Sequence, residues 1–174
     1  MSIQIVILGL LKEKKYHPYE MKKVILEHKW DQLFPVTDGN LYHAIRKLEK
    51  HNWIQAEKQE QVNNRPNRTV YQITEEGKNQ LSEEIVEVFK KRMPEPRSLY
   101  PALLFIESSE VPQAAQHINA WISELKTEIQ AKHDYQAVIP NLIQEHYKGL
   151  NSFYINWLIK ILNALEEKSK TKGT

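Results

Sequence analysis

Residues 37–50 read TDGNLYHAIRKLEK, and residues 51–74 read HNWIQAEKQEQVNNRPNRTVYQIT. In the first stretch, apolar residues recur at the helical period and share one face, while the opposite face carries cations. The second stretch contains two runs with strand character around an asparagine-rich turn that tolerates the positive φ of a hairpin. A helix with a cationic outer face, followed by an arginine-tipped hairpin, is the outline of a winged helix-turn-helix. That outline points to duplex DNA as a partner.

The basic helix carries the side chains that would meet DNA. It begins near Thr37 or Asp38, either of which can cap the free N–H groups of its first turn. Because an α-helix fits the major groove, exposed side chains such as Arg46 can pair with guanine and Asn40 can pair with adenine. The candidate DNA-binding residues, including two wing arginines and one tyrosine of the preceding helix, are Asn40, Tyr42, His43, Arg46, Lys47, Lys50, Arg65, Arg68 and Tyr19.

Further helices are predicted on both sides of this segment. Residues 3–12 are apolar nearly all round, which is typical of a buried helix. A second helix begins near His17, with Pro18 in the first turn, where its missing N–H costs nothing. Thr74 is followed by two glutamates, which is the pattern of an N-cap with acids in the first turn of a new helix. The predicted order is therefore three helices, a hairpin and a fourth helix.

The segment Pro94-Glu95-Pro96 is the best candidate for a domain boundary, because a helix does not continue readily through two prolines. A short helical piece and two long helices follow, with Pro140 separating the long helices. Their apolar residues alternate at spacings of four and three, as in helix-on-helix seams. The predicted fold is mainly α with a small β-hairpin wing. Its parts are a winged helix DNA-binding domain (1–93), a helical dimerisation and effector domain (97–168) and a polar tail (169–174).

Composition and charge agree with this division. The chain has 174 residues, of which 41% are hydrophobic and 26% are charged, as in globular proteins. Residues 1–74 carry 12 Lys/Arg against 8 Asp/Glu, whereas residues 75–174 carry 12 against 14. The positive surplus therefore lies in the half with the basic helix and hairpin, as a phosphate-binding module would require.

Three further features bear on the compartment. The chain has no cysteine, which fits a reducing environment. No apolar run reaches the roughly 20 residues of a membrane-spanning helix. The apolar start, residues 1–11, lacks the basic region and cleavage site of a signal peptide. We therefore expect a cytoplasmic protein without a membrane partner.

The last predicted helix has an apolar face too wide for one chain to bury, and this predicts a homodimer. The predicted dimer-interface residues are Leu150, Phe153, Tyr154, Trp157, Ile161 and Leu165.

No catalytic constellation is visible in the sequence. The seven histidines form no metal-ligand spacing, the five glycines form no phosphate loop, and no Gly-x-Ser-x-Gly elbow occurs. We therefore expect no enzymatic activity, no metal and no cofactor. Two alternatives remain: a winged helix that docks proteins and does not bind DNA, and an enzyme that uses the aromatic C-terminal half.

Several short motifs together resemble the PadR family of bacterial transcriptional regulators over residues 7–77. The matching helical segments are Ile7-Leu8-Gly9-Leu10-Leu11, His17-Pro18-Tyr19-Glu20-Met21 and Gly39-Asn40-Leu41-Tyr42-His43-Ala44-Ile45 with Leu48-Glu49. The wing matches through Arg65-Pro66-x-Arg68 and Tyr71-x-Ile73-Thr74-Glu75-Glu76-Gly77.

This resemblance implies a homodimer that reads a palindromic or near-palindromic operator, usually as a repressor. It places Asn40, Tyr42 and Arg46 on the recognition helix and Arg65 and Arg68 on the wing. Four positions depart from the family pattern. Asn40 and His43 stand where serine and proline are commoner, and Asn64 and Asn67 replace a wing glycine and a frequent basic residue. These departures imply an altered base preference and a weaker wing contact.

The resemblance also implies an effector, since PadR-like regulators often respond to phenolic or other small hydrophobic molecules at aromatic-lined sites. The candidate effector residues are Trp121, Tyr154 and Trp157. Aromatic residues at helical spacing are also typical of a core or an interface, and this alternative remains open.

Overall fold

The computed structural model describes residues 2–58, 69–131 and 137–172. The chain forms two compact units, residues 1–110 and residues 111–174. Within the described ranges the fold is helical apart from a single two-stranded antiparallel hairpin, which confirms the predicted fold class.

The first unit consists of five helices and the hairpin in its described residues, joined by short connections. In chain order its elements are α1 (Ser2–Glu13), α2 (Pro18–Glu27), a 3-10 turn (Trp30–Gln32), α3 (Asp38–Lys50), β1 (Ile54–Lys58), β2 (Thr69–Ile73), α4 (Glu75–Lys90), α5 (Pro96–Leu104) and a second 3-10 turn (Ile106–Ser108).

The core of this unit surrounds α1, which contacts α3, α4, α5 and β2. Ile5, Ile7 and Leu8 on this helix have no exposed surface. A Cβ atom at Gly9 would overlap the ring of Phe105, so the absence of a side chain there lets that ring lie against the helix. The helix α1 is therefore apolar on all sides because other elements of the unit pack around it.

The basic helix α3 buries the face that the periodicity predicted. Leu41, Ala44, Ile45 and Leu48 are buried against the first unit's core. Asn52 ends the turn after the helix with a φ of 58°, a left-handed conformation that asparagine adopts more readily than most residues. The buried stripe fixes which side of α3 faces outward.

The hairpin lies next to α3 and α1. Its strands pair from Ile54 opposite Ile73 to Lys58 opposite Thr69. Residues 59–68, which connect the two strands, lie outside the described residues, and both wing arginines are among them.

Thr74 joins the hairpin to α4 through two hydrogen bonds. Its hydroxyl accepts from the Gly77 N–H at 3.0 Å and donates to the Asn52 carbonyl at 2.7 Å. A Cβ atom at Gly77 would overlap the carbonyl of Trp53. The predicted N-cap of α4 thus also ties this helix to the turn that follows α3.

The predicted boundary at residues 94–96 differs from the division of the structure. Those residues lie inside the first unit, because α5 contacts both α1 and α4. Leu99 and Ala102 of α5 are buried. The two prolines therefore mark a turn between packed helices, and the units divide after Glu110.

The second unit contains two long helices, α6 (Val111–Gln130) and α7 (Val138–Lys172), which contact each other. The predicted break at Pro140 is not seen. The residue lies in the first turn of α7, where no helical partner exists for its missing N–H. Residues 169–172, predicted as part of a polar tail, continue α7. No helix in the described ranges has the length and hydropathy to cross a membrane.

Candidate nucleic-acid interface

The N-terminus of α3 is closed by a reciprocal cap between Thr37 and Asn40. The Thr37 hydroxyl accepts from the Asn40 backbone N–H at 3.2 Å, and Asn40 Oδ1 accepts from the Thr37 backbone N–H at 2.9 Å. Asn40 Nδ2 also donates to the Pro35 carbonyl at 3.0 Å. The asparagine predicted to read adenine thus directs both polar atoms of its side chain toward the turn before α3.

An ion pair neutralises the acid in the first turn of α3. Lys22 Nζ on α2 lies 2.6 Å from Asp38 Oδ1, and both side chains remain partly exposed. An acid at this position would repel a phosphate that approaches the positive end of the helix. Lys22 offsets part of that repulsion, and it holds α2 against the start of α3.

The outer face of α3 is exposed and cationic. His43, Arg46 and Lys50 project from its centre, with Tyr42 and Lys47 at the flanks, and all five side chains are exposed. Arg46 Nε donates to the Tyr42 carbonyl at 3.4 Å, and this side chain makes no other hydrogen bond among the described residues. This face has the donors that base edges and phosphates accept.

Glu49 is the acid in the second half of α3, and it faces the hairpin. Burial raises the pKa of the Tyr71 phenol on β2, and the Glu49 carboxylate and the Tyr42 phenol raise it further. Glu49 therefore lies near Tyr71 and away from the centre of the outer face. This arrangement leaves the centre of the outer face, around Arg46, without an acid of its own helix.

Tyr19 lies in the first turn of α2 and is 68% exposed. The start of α2 is capped by His17, whose Nδ1 accepts a hydrogen bond from the Tyr19 backbone N–H at 3.1 Å. The exposed phenol can therefore donate to a phosphate from a fixed helix end. Arg65 and Arg68, the predicted wing contacts, lie outside the described residues.

The predicted dimer residues of α7 differ in their exposure. Phe153 is 62% exposed and Leu150 is 44% exposed, whereas Tyr154, Trp157, Ile161 and Leu165 are half-buried. The face of α7 that packs within the unit is formed by neighbouring positions of the helix that the prediction did not select. Those buried residues are Asn151, Ile155, Leu158 and Leu162.

The predicted effector residues form a row of aromatic contacts in the second unit. The rings of Trp121 and Tyr154 stack with centroids 6.2 Å apart, and Tyr154 meets Trp157 edge-on at 6.3 Å. Trp121 is buried in the core of this unit. A separate open apolar pocket of about 310 Å³ lies in the first unit and is lined by Leu33, Tyr100, Leu103 and Leu104. None of the predicted effector residues lines that pocket.

Two functional features were missed by sequence reasoning. The Thr37-x-x-Asn40 spacing is a capping pattern and could have revealed the second role of Asn40. Lys22 carried no signal, since its pairing with Asp38 depends on how α2 and α3 pack. In the described ranges, no group of three histidine or acidic side chains could hold a metal ion.

Comparison with known proteins places this site in a family. Residues 7–83 match the model of the transcriptional regulator PadR-like family. A transcriptional regulator from Clostridium thermocellum is 30% identical, with coverage of 52% of this chain and 82% of that one and a TM-score of 0.45. A PadR family transcription regulator from Clostridium difficile is 27% identical, with coverage of 53% and 95% and a TM-score of 0.45.

A third solved structure is Bacillus subtilis PadR in complex with operator DNA. It is 17% identical, with coverage of 91% of this chain and 97% of that one and a TM-score of 0.43. No curated protein matches the chain. The family match over residues 7–83 and the 30% identity across most of the Clostridium thermocellum protein agree with the motifs quoted above. The chain belongs to the PadR-like family of transcriptional regulators.

Proposed function

We propose that this chain is a repressor that binds a palindromic operator as a homodimer. The observation that carries the proposal is the cationic outer face of α3. Arg46 and Lys50 are exposed there and take part in none of the ion pairs of the described residues, whereas Lys22 and Lys15 are each paired with an acid at 2.6 Å. Cations without an acid partner are available to bases and phosphates.

The proposed contacts divide into base reading and positioning. Arg46 near the centre of the face is suited to bidentate pairing with guanine, and His43 lies beside it. Lys47, Lys50, Tyr42 and Tyr19 are proposed to contact phosphates or sugars, and such contacts fix the protein's register on the duplex. Arg65 and Arg68 are proposed to extend this set from the wing.

The homodimer is supported by exposed apolar side chains on α7. Leu150 and Phe153 continue an exposed apolar stripe that begins near the start of the helix, and its further members are Val138, Ile139, Leu142 and Ile143. An exposed stripe of this extent on one helix is typical of a surface that a second chain covers. A dimer would present two copies of α3 to the two halves of a palindrome.

We also propose that a small hydrophobic or phenolic molecule releases the repressor. Tyr154 and Trp157 are half-buried and adjacent to the proposed dimer surface, so a ligand between them would alter that surface. Trp121 contributes the buried side of the same row. Quenching of tryptophan fluorescence by a phenolic acid, lost in Trp157→Phe, would support this site.

The central experiment measures binding of the full chain to a duplex from its own promoter region, with a shuffled duplex of equal length as the control. We expect preference for the promoter duplex and a steep loss of affinity as salt rises, because counterions are released from the phosphates. Transcription in vitro from the same promoter should fall as the protein is added. Equal, weak binding to both duplexes, with a protein partner recovered instead, would favour the docking-module alternative.

A further inference from the structure

Two contacts hold the start of the recognition helix α3, one with α2 and one with the turn between the two helices. Lys22 of α2 pairs with Asp38 at 2.6 Å, and Asn40 of α3 donates to the Pro35 carbonyl at 3.0 Å. The reciprocal bonds between Thr37 and Asn40 close the same corner. Asn40, the third residue of α3, is thereby bonded to the last residues of the turn.

Both polar atoms of the Asn40 side chain are engaged in this arrangement. Reading adenine requires the side-chain amide to donate to N7 and to accept from N6 at the same time. Here Nδ2 donates to Pro35 and Oδ1 accepts from Thr37, and the residue is only half exposed on the flank of the helix. Turning the side chain toward a base would break both bonds and leave the Thr37 N–H without its partner.

We infer that Asn40 is a positioning residue that sets the direction of α3 and does not read a base. Its cap fixes where the helix begins, and its bond to Pro35 fixes the turn against that start. Arg46 lies six residues further along the same rigid helix, so the orientation of its guanidinium depends on how this end is held. The inference rests on the proposed DNA binding of this site.

The test compares variants of the full chain by binding to a set of duplexes that differ at each operator base pair in turn. Asn40→Ala should lower affinity about threefold to tenfold for every duplex, because binding must then order the helix start without the stability of its cap, while the ranking of the duplexes stays unchanged. Thr37→Ala removes the other half of the cap and should give the same pattern. The double variant should lose little more than either single variant, since both changes abolish one shared interaction.

Asn40→Asp distinguishes most sharply between a positioning role and a base-reading role for this residue. Aspartate retains the acceptor for the Thr37 N–H, but it lacks the donor that adenine N7 requires and instead favours cytosine. If Asn40 positions the helix, the Asp variant keeps the wild-type ranking of duplexes. A loss of discrimination at a single base pair in Asn40→Ala, or a switch toward cytosine there in Asn40→Asp, would overturn the inference.

Two controls keep the outcomes distinct. Asn119→Ala changes an exposed asparagine of α6 and should leave binding unchanged. Circular dichroism establishes that each variant is folded before its affinity is compared. If the wild-type chain binds no duplex with preference, the proposed function fails, whereas the inference about Asn40 fails only when preference exists and changes at one position.

Discussion

The ammonium of Lys22 lies 2.6 Å from the Asp38 carboxylate, and this contact places a neutral pair at the positive end of α3. The pair limits the attraction of any phosphate to this helix end, regardless of the base sequence nearby. In the proposed complex with DNA, it should therefore weaken binding to every duplex by the same factor and leave the choice between sequences unchanged.

Asp38→Asn should therefore strengthen binding to shuffled and promoter duplexes by the same factor and leave the ratio between them unchanged. Freeing Lys22 adds a cation near the phosphates, and the slope of log affinity against log salt should steepen by about one. Fluorescence anisotropy across a salt series measures both effects. Glu75→Gln is the matched control, because Glu75 is also a first-turn acid paired with a lysine at 2.6 Å. Unchanged affinity in Asp38→Asn would show that no phosphate approaches this helix end.

Arg46→Ala should remove discrimination at one base pair of each half-site. A bidentate arginine–guanine pair contributes about 1–3 kcal/mol of discrimination, so the penalty for a wrong base there should largely disappear. Lys50→Ala, on the same exposed face, should weaken all duplexes alike and reduce the salt slope by about one. Competition binding with single-substitution duplexes distinguishes the two. Identical uniform losses in both variants would contradict the division between reading and positioning.

Glu84 of α4 should make stability depend on pH. Burial raises the pKa of its carboxyl above the ordinary value near 4.5, and a hydrogen bond from Gln80 at 3.3 Å only partly opposes this. The Oε2 atom is buried without a hydrogen-bond partner among the described residues. The folded state therefore favours the protonated form. The contribution of Glu84 to the stability of the folded state is therefore greatest below pH 4.5. This contribution is lost as pH rises toward and through the raised pKa.

Glu84→Gln should remove that decline and raise the free energy of unfolding near neutral pH by about 1 kcal/mol, the scale for a buried polar group left unpaired. Urea denaturation at several pH values measures the difference between variant and wild type, so that other titrating groups cancel. The neighbouring Glu83 is exposed, and Glu83→Gln should change nothing. A parallel pH dependence in Glu84→Gln and wild type would contradict the assignment.

Phe153→Asp should dissociate the proposed dimer. An aspartate replaces a large exposed apolar side chain. Because the interface is symmetric, the change occurs twice in each dimer. The loss of association free energy should be about 4 kcal/mol, taking about 2 kcal/mol per buried side chain. Sedimentation velocity at micromolar concentration measures the mass. Ser152→Asp, at an exposed position about 100° around α7 from Phe153, should leave the mass unchanged. A monomeric wild type would remove the basis of the prediction.

Much of the fold could be predicted because its signals are local. The helical period of α3, the cap at Thr74 and the motifs of residues 7–77 each depend on residues close together in sequence, and the family match confirms the predicted family. The pairing of Lys22 with Asp38 depends instead on two helices meeting in space. The packing of α5 on α1 and α4 is likewise tertiary, which is why two prolines suggested a boundary where the structure has a turn.

The sequence alone does not fix the role of a residue that suits two different local structures. The sequence Thr37-x-x-Asn40 fits both a cap and a base-reading asparagine, and in the folded chain Asn40 forms the cap. Pro140 similarly fits both the end of one helix and the first turn of the next. Its role follows from where α7 begins, at Val138.

The unequal lengths of the two helices in the second unit have a thermodynamic consequence. At 1.5 Å per residue, the 35 residues of α7 extend roughly 52 Å, against roughly 30 Å for the 20 residues of α6. Glu128, near the end of α6, accepts hydrogen bonds from Tyr147 and Asn151, so the turns of α7 before Tyr147 extend past its only helical neighbour in the described part of this unit. Helical turns without packed neighbours fray readily. If the proposed dimer covers these turns, its dissociation should release them, and the helix content of the protein should decrease on dilution.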